Sequence, residues 1–440
     1  MRKLTDVGRE QTAWSVPIRD AAFPAPFASE LEFNAPVHGT WNIVHTGMLV
    51  PEAQQIYVCA ANCMRGVVLT AAEMNAADRF SYVILEEQDL IRGDVEAVTI
   101  QGVADVIRRL PKRPPAVMLY TVCLHHFLGC DLEHIYRTLE AEFPDIFFAR
   151  CYMDPIMRKN GLTPDQKTRN SMYEPLQPRP VRPGTVSVLG GDFALDETCD
   201  LTVLLRENGY TLRQIQDCRT YEEFLALAEG EWFLSTYPNG KYGAGRAAKR
   251  VGRPHLYLPA CFGYEEITAH LTALAQALGL PVPDTAPAIR RCEAALKKAR
   301  QAVGETPVSI DYTFHPRPLG LARLLLEHGF RVDTVYVDAM SGEERADFDW
   351  LRENTPDLRL TATVQVGMRV QPRKNPGLAL GQKAAWFTGT AHFVNLVEGA
   401  GLYGFDGICR LAALIEEAMA EEKDTEDLVP RKGLGCDSCI

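Results

Sequence analysis

From Ile56 onward, short runs of β-branched and aromatic residues alternate with longer stretches whose apolar positions recur every three or four residues. The runs 56–58, 82–85, 116–122 and 146–150 predict strands, and the stretches 102–110 and 132–143 between them predict helices. Strands separated by helices in this way predict a parallel sheet, because parallel neighbours need a crossover connection. Residues 1–50 carry no such period and are rich in proline and aromatics, which predicts an irregular arm packed over another part of the chain.

Six prolines between 152 and 184, ending in QPRPVRPG, break the alternation and predict a long connection. A second round follows, with strands at 185–189, 232–235 and 255–258, a turn at Gly190-Gly191-Asp192, a helix over 195–207 closed by Gly209, and a helix over 264–278. The segment PVPDTAPA at 281–288 is the next boundary. Beyond it a helix over 289–303 leads to strands at 307–312, 332–338 and 358–364, with helices at 319–328 and 407–422. The expectation is an α/β protein of three doubly wound parallel-sheet domains in series, 51–184, 185–288 and 289–425. An N-terminal arm, 1–50, precedes them and a flexible tail, 426–440, follows.

The chain has 440 residues, 46% hydrophobic, 23% charged and 9% aromatic, enough to bury several cores. No apolar run reaches the ~18 residues a membrane span needs. The opening MRKLTDVGREQTAWSV lacks the apolar stretch of a signal peptide, so the sequence reads as cytoplasmic, with no membrane partner. A formal net charge of −11 argues against nucleic acid as a partner. The basic stretches at 108–113 and 297–300 read as solvated helix ends.

Twelve cysteines in a chain this long do not make a disulfide scaffold. Four of them fall where predicted strands end: Cys59 and Cys63 after 56–58, Cys123 after 116–122, and Cys151 after 146–150. Open parallel sheets bind ligands at the C-terminal edge, so thiols delivered there from separate strands can meet. Soft thiolates in an intracellular protein favour an iron–sulfur cluster or a soft metal. Cys59 stands four residues before Cys63, a spacing that in a helix puts both on one face, so either is a candidate ligand. Cys130, and likewise Cys199, Cys218, Cys261, Cys292 and Cys409 in or beside predicted core elements, read as small core hydrophobes. Cys436 and Cys439 form a C-x-x-C that is either a mobile dithiol or a tail without fixed role.

With these positions placed, the sequence resembles the component 1 family of nitrogenase and nitrogenase-like oxidoreductases. His38-Gly39-Thr40 followed by Ile56 to Cys63 resembles the family's approach to its first cluster cysteine, with Cys63 the closer positional match. Glu86 to Asp94 resembles the acidic segment that follows. Thr121-Val122-Cys123 with Gly129 and Asp131 resembles the strand, second cluster cysteine and turn, and Gly401 to Gly407 resembles the closing glycine motif. The resemblance spans roughly 38–425 and implies three Rossmann-like domains around a central cleft. It also implies a dimeric ATP-hydrolysing iron protein as electron donor, in keeping with the lack of a P-loop in this chain.

Departures from the family pattern narrow the expectation. The segment 37–42, Val-His-Gly-Thr-Trp-Asn, lacks the third cysteine that a large eight-iron cluster uses, and Thr236 and Tyr403 stand where the dinitrogen-reducing cofactor has its cysteine and histidine. No iron–molybdenum cofactor is therefore expected. What is left resembles the simpler members, in which Cys63 and Cys123 from each of two subunits complete one shared [4Fe–4S] cluster, in a homodimer or a heterotetramer with a related subunit. Cys59 and Cys151 are further candidates for the cluster. His125, His126 and Glu87 are candidate proton donors beside it, although Glu86, Glu87 and Asp89 also suit a helix start. Gly190-Gly191-Asp192 lacks the full dinucleotide fingerprint, and Gly240-Lys241 opens a helix that suits either an anion or a tight turn. The alternative function is a non-catalytic scaffold or carrier for metal-cluster assembly.

Overall fold

The computed structural model describes residues 14–28, 43–154, 161–370 and 377–429, together with Phe33, residues 35–37 and Gly39. His38, residues 40–42, Cys436 and Cys439 lie outside the described residues. The first strands are β1 (Ser15–Pro17), β2 (Gln54–Cys59), β3 (Phe80–Ile84), β4 (Ala116–Val122) and β5 (Phe147–Met153). β6 (Arg182–Val188), β7 (Thr211–Gln214), β8 (Gly230–Ser235) and β9 (His255–Tyr257) follow. The last are β10 (Val308–Asp311), β11 (Val332–Tyr336), β12 (Arg359–Thr361), β13 (Leu378–Leu380) and β14 (His392–Val394). The architecture is α/β, and apart from β1 every strand pairs in parallel.

Two compact units divide the chain. One, built from 43–194 and 209–259, holds two four-stranded sheets, ordered β3-β2-β4-β5 and β7-β6-β8-β9. Both faces of these strands are covered, so β2 and β4 are buried along their whole length, including the polar Gln54, Gln55 and Thr121. Tyr57 and Tyr120 stack at 4.3 Å within a core that also includes Met172, Tyr173, Leu189 and Phe233, so one core serves both sheets.

The other unit takes 195–208 and 260–429 with the described residues before 40. Its six strands run β1-β12-β11-β10-β13-β14. The helix Asp200–Glu207, in chain order part of the second round, packs in this unit: Asp200 Oδ2 accepts the Asp406 N–H at 2.9 Å at the start of the helix Gly404–Ala420. Among the described residues no helix is long and apolar enough to cross a membrane.

Several local expectations change. Residues 1–50 are not wholly irregular: β1 pairs antiparallel with β12, Ser15 opposite Thr361, and Ile43–Met48 is a helix. The proline-rich stretch 152–184 contains the helix Pro164–Met172, whose Pro164 sits in the first turn where its missing N–H costs nothing. Thr163 Oγ1 accepts the Gln166 N–H at 3.2 Å and Gln166 Oε1 accepts the Thr163 N–H at 3.0 Å, a reciprocal cap. Ordered structure also reaches beyond residue 425, since Thr425–Leu428 forms a 3₁₀ turn with Leu428 buried.

Candidate functional site

Each sheet has one place where the strand order reverses, and the crevice outside the strand ends there is the natural ligand site. In the first sheet it lies between β2 and β4, in the second between β6 and β8, and in the third between β10 and β13.

At the second crevice two loops of the protein close on each other. After β6, Gly190 adopts φ +101°, and a Cβ on it would stand 2.8 Å from the Cα of Gly240 after β8, so the two loops cross backbone to backbone. Beneath them Arg169, 1% exposed, donates to Asp165 Oδ1 (2.8 Å), Asp192 Oδ2 (2.6 Å) and the Gly190 carbonyl (2.9 Å). Gly190-Gly191-Asp192 is thus a crossing point held by an arginine, and Gly240 is a tight turn into the helix Lys241–Val251. At the third crevice the buried Asp311 carboxylate accepts the N–H groups of Thr313 (2.7 Å) and Ala384 (2.6 Å), and Lys383 Nζ donates to Thr363 Oγ1 at 3.3 Å.

The first crevice carries the thiols. Cys63 lies in the first turn of the helix Ala61–Glu73 that follows β2, and is exposed. Cys123 opens the short helix Cys123–Phe127 directly after β4, and is half-buried. The two are close enough for Cys63 to act on the Cys123 thiol, which burial first, then Cys63 and then Asp154 push up from its ordinary value. Asp154, one residue past β5, is buried, and its Oδ2 lies 3.9 Å from Nδ1 of the exposed His126. Sequence reasoning missed Asp154, though the strand-end rule that found the cysteines applies equally to it.

The structure separates the remaining candidates from this pair. Cys59 is the last residue of β2, not part of a helix with Cys63, and is fully buried. Burial pushes its thiol up to about 12, with Cys63 adding to the shift. Cys151 is also fully buried, within β5, and burial raises its thiol further still. Both side chains belong to the core around Tyr57 and Tyr120. His125 is 1% exposed: its Nδ1 accepts the Val122 N–H at 3.2 Å, and its Nε2 stands 3.0 Å from Thr99 Oγ1. The Thr99 hydroxyl donates to the Val95 carbonyl at 2.7 Å, so the Nε2 carries the proton and the ring is neutral, with both nitrogens occupied. Burial lowers its pKa to about 4, and this ring fastens helix Val95–Arg109 to β4. Glu87 is exposed in the first turn of Glu87–Arg92, where Asp89 Oδ2 accepts the Glu86 N–H at 2.8 Å and starts the helix. Cys130 is half-buried against the apolar core, as a structural residue.

In the other unit Tyr403 is buried, and its hydroxyl has no hydrogen-bond partner among the described residues. It lines a small cavity with Cys261, Phe314 and His315. A larger cavity of about 340 Å³ is lined by Tyr264, Arg317, Arg323 and His328. Its charges are matched internally, Arg317 to Glu266 (2.6 Å) and Asp347 (3.2 Å), and Arg323 to Glu327 (3.0 Å).

Among the described residues no group of three or more His, Cys, Asp or Glu side chains is arranged to hold a metal ion. The first crevice therefore offers two accessible thiols in one chain, flanked by His126 and Asp154. A cubane cluster takes four thiolates, so this donor set fits half of one.

The nitrogenase component 1 type oxidoreductase family model matches residues 53–397, and the chain belongs to that family. Among solved structures it is similar to nitrogenase Cp1 at pH 6.5, with a TM-score of 0.67 and 13% identity over 90% of this chain and 95% of that one. It is also similar to nitrogenase Cp1 at pH 5, with a TM-score of 0.60 and 12% identity over 95% and 97%. No curated protein matches the sequence.

Proposed function

We propose that this chain is a nitrogenase-like reductase component that holds one [4Fe–4S] cluster between two copies of itself, with Cys63 and Cys123 of each copy as ligands. The observation that carries this reading is the pair of accessible thiols, Cys63 and Cys123, placed just after the neighbouring strands β2 and β4. Two thiols per chain are half a cluster, and a two-fold axis supplies the other half. Apolar side chains stand exposed on the same sheet edge: Phe127 (68%) and Leu128 (46%) directly after Cys123, and Ile91 (78%) in the helix after β3. Such side chains suit a surface that a second subunit covers.

The cluster's role is to take and release single low-potential electrons, which an ATP-hydrolysing iron protein supplies and a substrate receives. This chain's own residues ligate it, set its burial and exclude water. His126, exposed and 3.9 Å from the Asp154 carboxylate, is the group beside Cys123 able to hold a proton there. With hydroxyls at Thr236 and Tyr403, the reading includes no dinitrogen-reducing cofactor.

Anaerobic purification with iron and sulfide analysis and EPR tests the assignment. About four irons per dimer are expected for the wild type, and loss of cluster in Cys63→Ala and Cys123→Ala alike. A cluster-free wild type, or variants that both keep their iron, would overturn it. Substrate reduction by the purified protein with ATP and an iron protein separates a reductase from a scaffold.

A further inference from the structure

Away from the crevice thiols, the helices Ala286–Val303 and Gly404–Ala420 pack along each other, and each contributes one cysteine to their contact. Cys292 Sγ and Cys409 Sγ stand 3.7 Å apart. We propose that Cys292 and Cys409 are a paired oxidation site, closed to a disulfide by a hydroperoxide, that cross-links these two helices.

The two sulfurs have unequal surroundings, and the inequality assigns their roles. Cys292 is fully buried, and its single S–H can point to the Phe405 carbonyl at 3.1 Å or to the Cys409 sulfur. Cys409 is half-buried and so open to a small oxidant. The hydrogen bond with Cys292 holds the Cys409 thiol below its ordinary range, and the nearby Arg291 guanidinium works in the same direction. Cys409 is therefore the attacking sulfur and Cys292 the resolving one.

In the first step the Cys409 thiolate attacks the distal oxygen of the hydroperoxide. The S–O bond forms, the O–O bond breaks, and the remaining oxygen leaves as hydroxide or alkoxide and takes a proton from water. In the second step the Cys292 sulfur attacks Cys409. The S–S bond forms, the S–O bond breaks, and hydroxide leaves with the Cys292 proton as water. Two thiols are oxidised and one hydroperoxide is reduced.

Peptide mapping of the full chain under non-reducing conditions, before and after hydrogen peroxide, tests the pair. A linked Cys292–Cys409 peptide is expected after peroxide, with loss of both thiols from iodoacetamide labelling and full recovery after dithiothreitol. Oxidation of Cys409 to sulfinic acid while Cys292 still alkylates would overturn the proposal. In Cys292→Ser the sulfenic acid on Cys409 has no resolving thiol and should accumulate as a dimedone adduct that the wild type does not form. Equal dimedone labelling of the two proteins would also sink it. These readouts follow individual cysteine peptides, so they hold whether or not a cluster is bound at Cys63 and Cys123.

Discussion

His125 and His126 are neighbours in sequence and opposites in chemistry, because a helix turns successive side chains about 100° apart. His126 is exposed at the thiol crevice, whereas His125 is sealed between Val122 and Thr99. Its ring stays neutral in the folded protein down to about pH 4, while in the unfolded chain it titrates near 6.5. Between those values the unfolded state binds the extra proton, so stability rises with pH across the window and is lost as pH falls through it. The full difference corresponds to ~3 kcal/mol. Urea unfolding between pH 4 and 7 should show a positive slope that is shallower in His125→Asn, and an unchanged slope would remove this role. His315, buried with its pKa lowered to about 3 by burial and then by Arg317, adds to the same slope and survives in the variant. The placement of Cys63 and Cys123 just after strands was legible from sequence because a strand end is visible there. The role of His125 was not, because its partner Thr99 lies on another helix.

Elements with a full period were the readable ones. β4 and the helix Tyr264–Leu278 coincide with their predicted bounds, each having enough residues to establish a rhythm. β1, β13 and β14, three residues long, and β7, four residues long, escaped notice, although β9 and β12, equally short, stood out as apolar runs. Prolines misled in the other direction, since Pro164 starts a helix where it was read as part of a connection. The crossing of Gly190 and Gly240 was equally hidden, because each glycine alone reads only as a turn. Gly190→Ala adds a methyl against the Gly240 backbone at a positive φ, at a cost of roughly 2–4 kcal/mol. A lower thermal midpoint in calorimetry checks this, and a neutral result would mean that the loops part readily. The same substitution at Gly93, also at positive φ but with open space around it, should cost only the backbone strain.

For the whole molecule, the family and the α/β layout were legible, because the motifs recur in order along the chain and coincide with strand ends. The distribution of the chain between two units was not, because the segment 195–208 follows β6 in sequence yet packs with residues from beyond 260. Under the proposed half-site at Cys63 and Cys123, assembly and cluster content are a single property. Phe127→Asp places a charge on the exposed apolar side chain four residues after Cys123, and the proposed shared cluster predicts that this variant sediments as a monomer and carries no iron. A dimeric, iron-loaded Phe127→Asp protein would place the subunit contact elsewhere.

The pairing of β1 with β12 also dictates a timetable for synthesis. Residues 15–17 leave the ribosome early, but their partner 359–361 is made more than three hundred residues later. The sheets spanning 54–257, by contrast, have all their strands once residue 257 has emerged. The segment 15–17 must therefore wait for its partner, and this sheet takes its edge strand from a part of the chain made more than three hundred residues earlier.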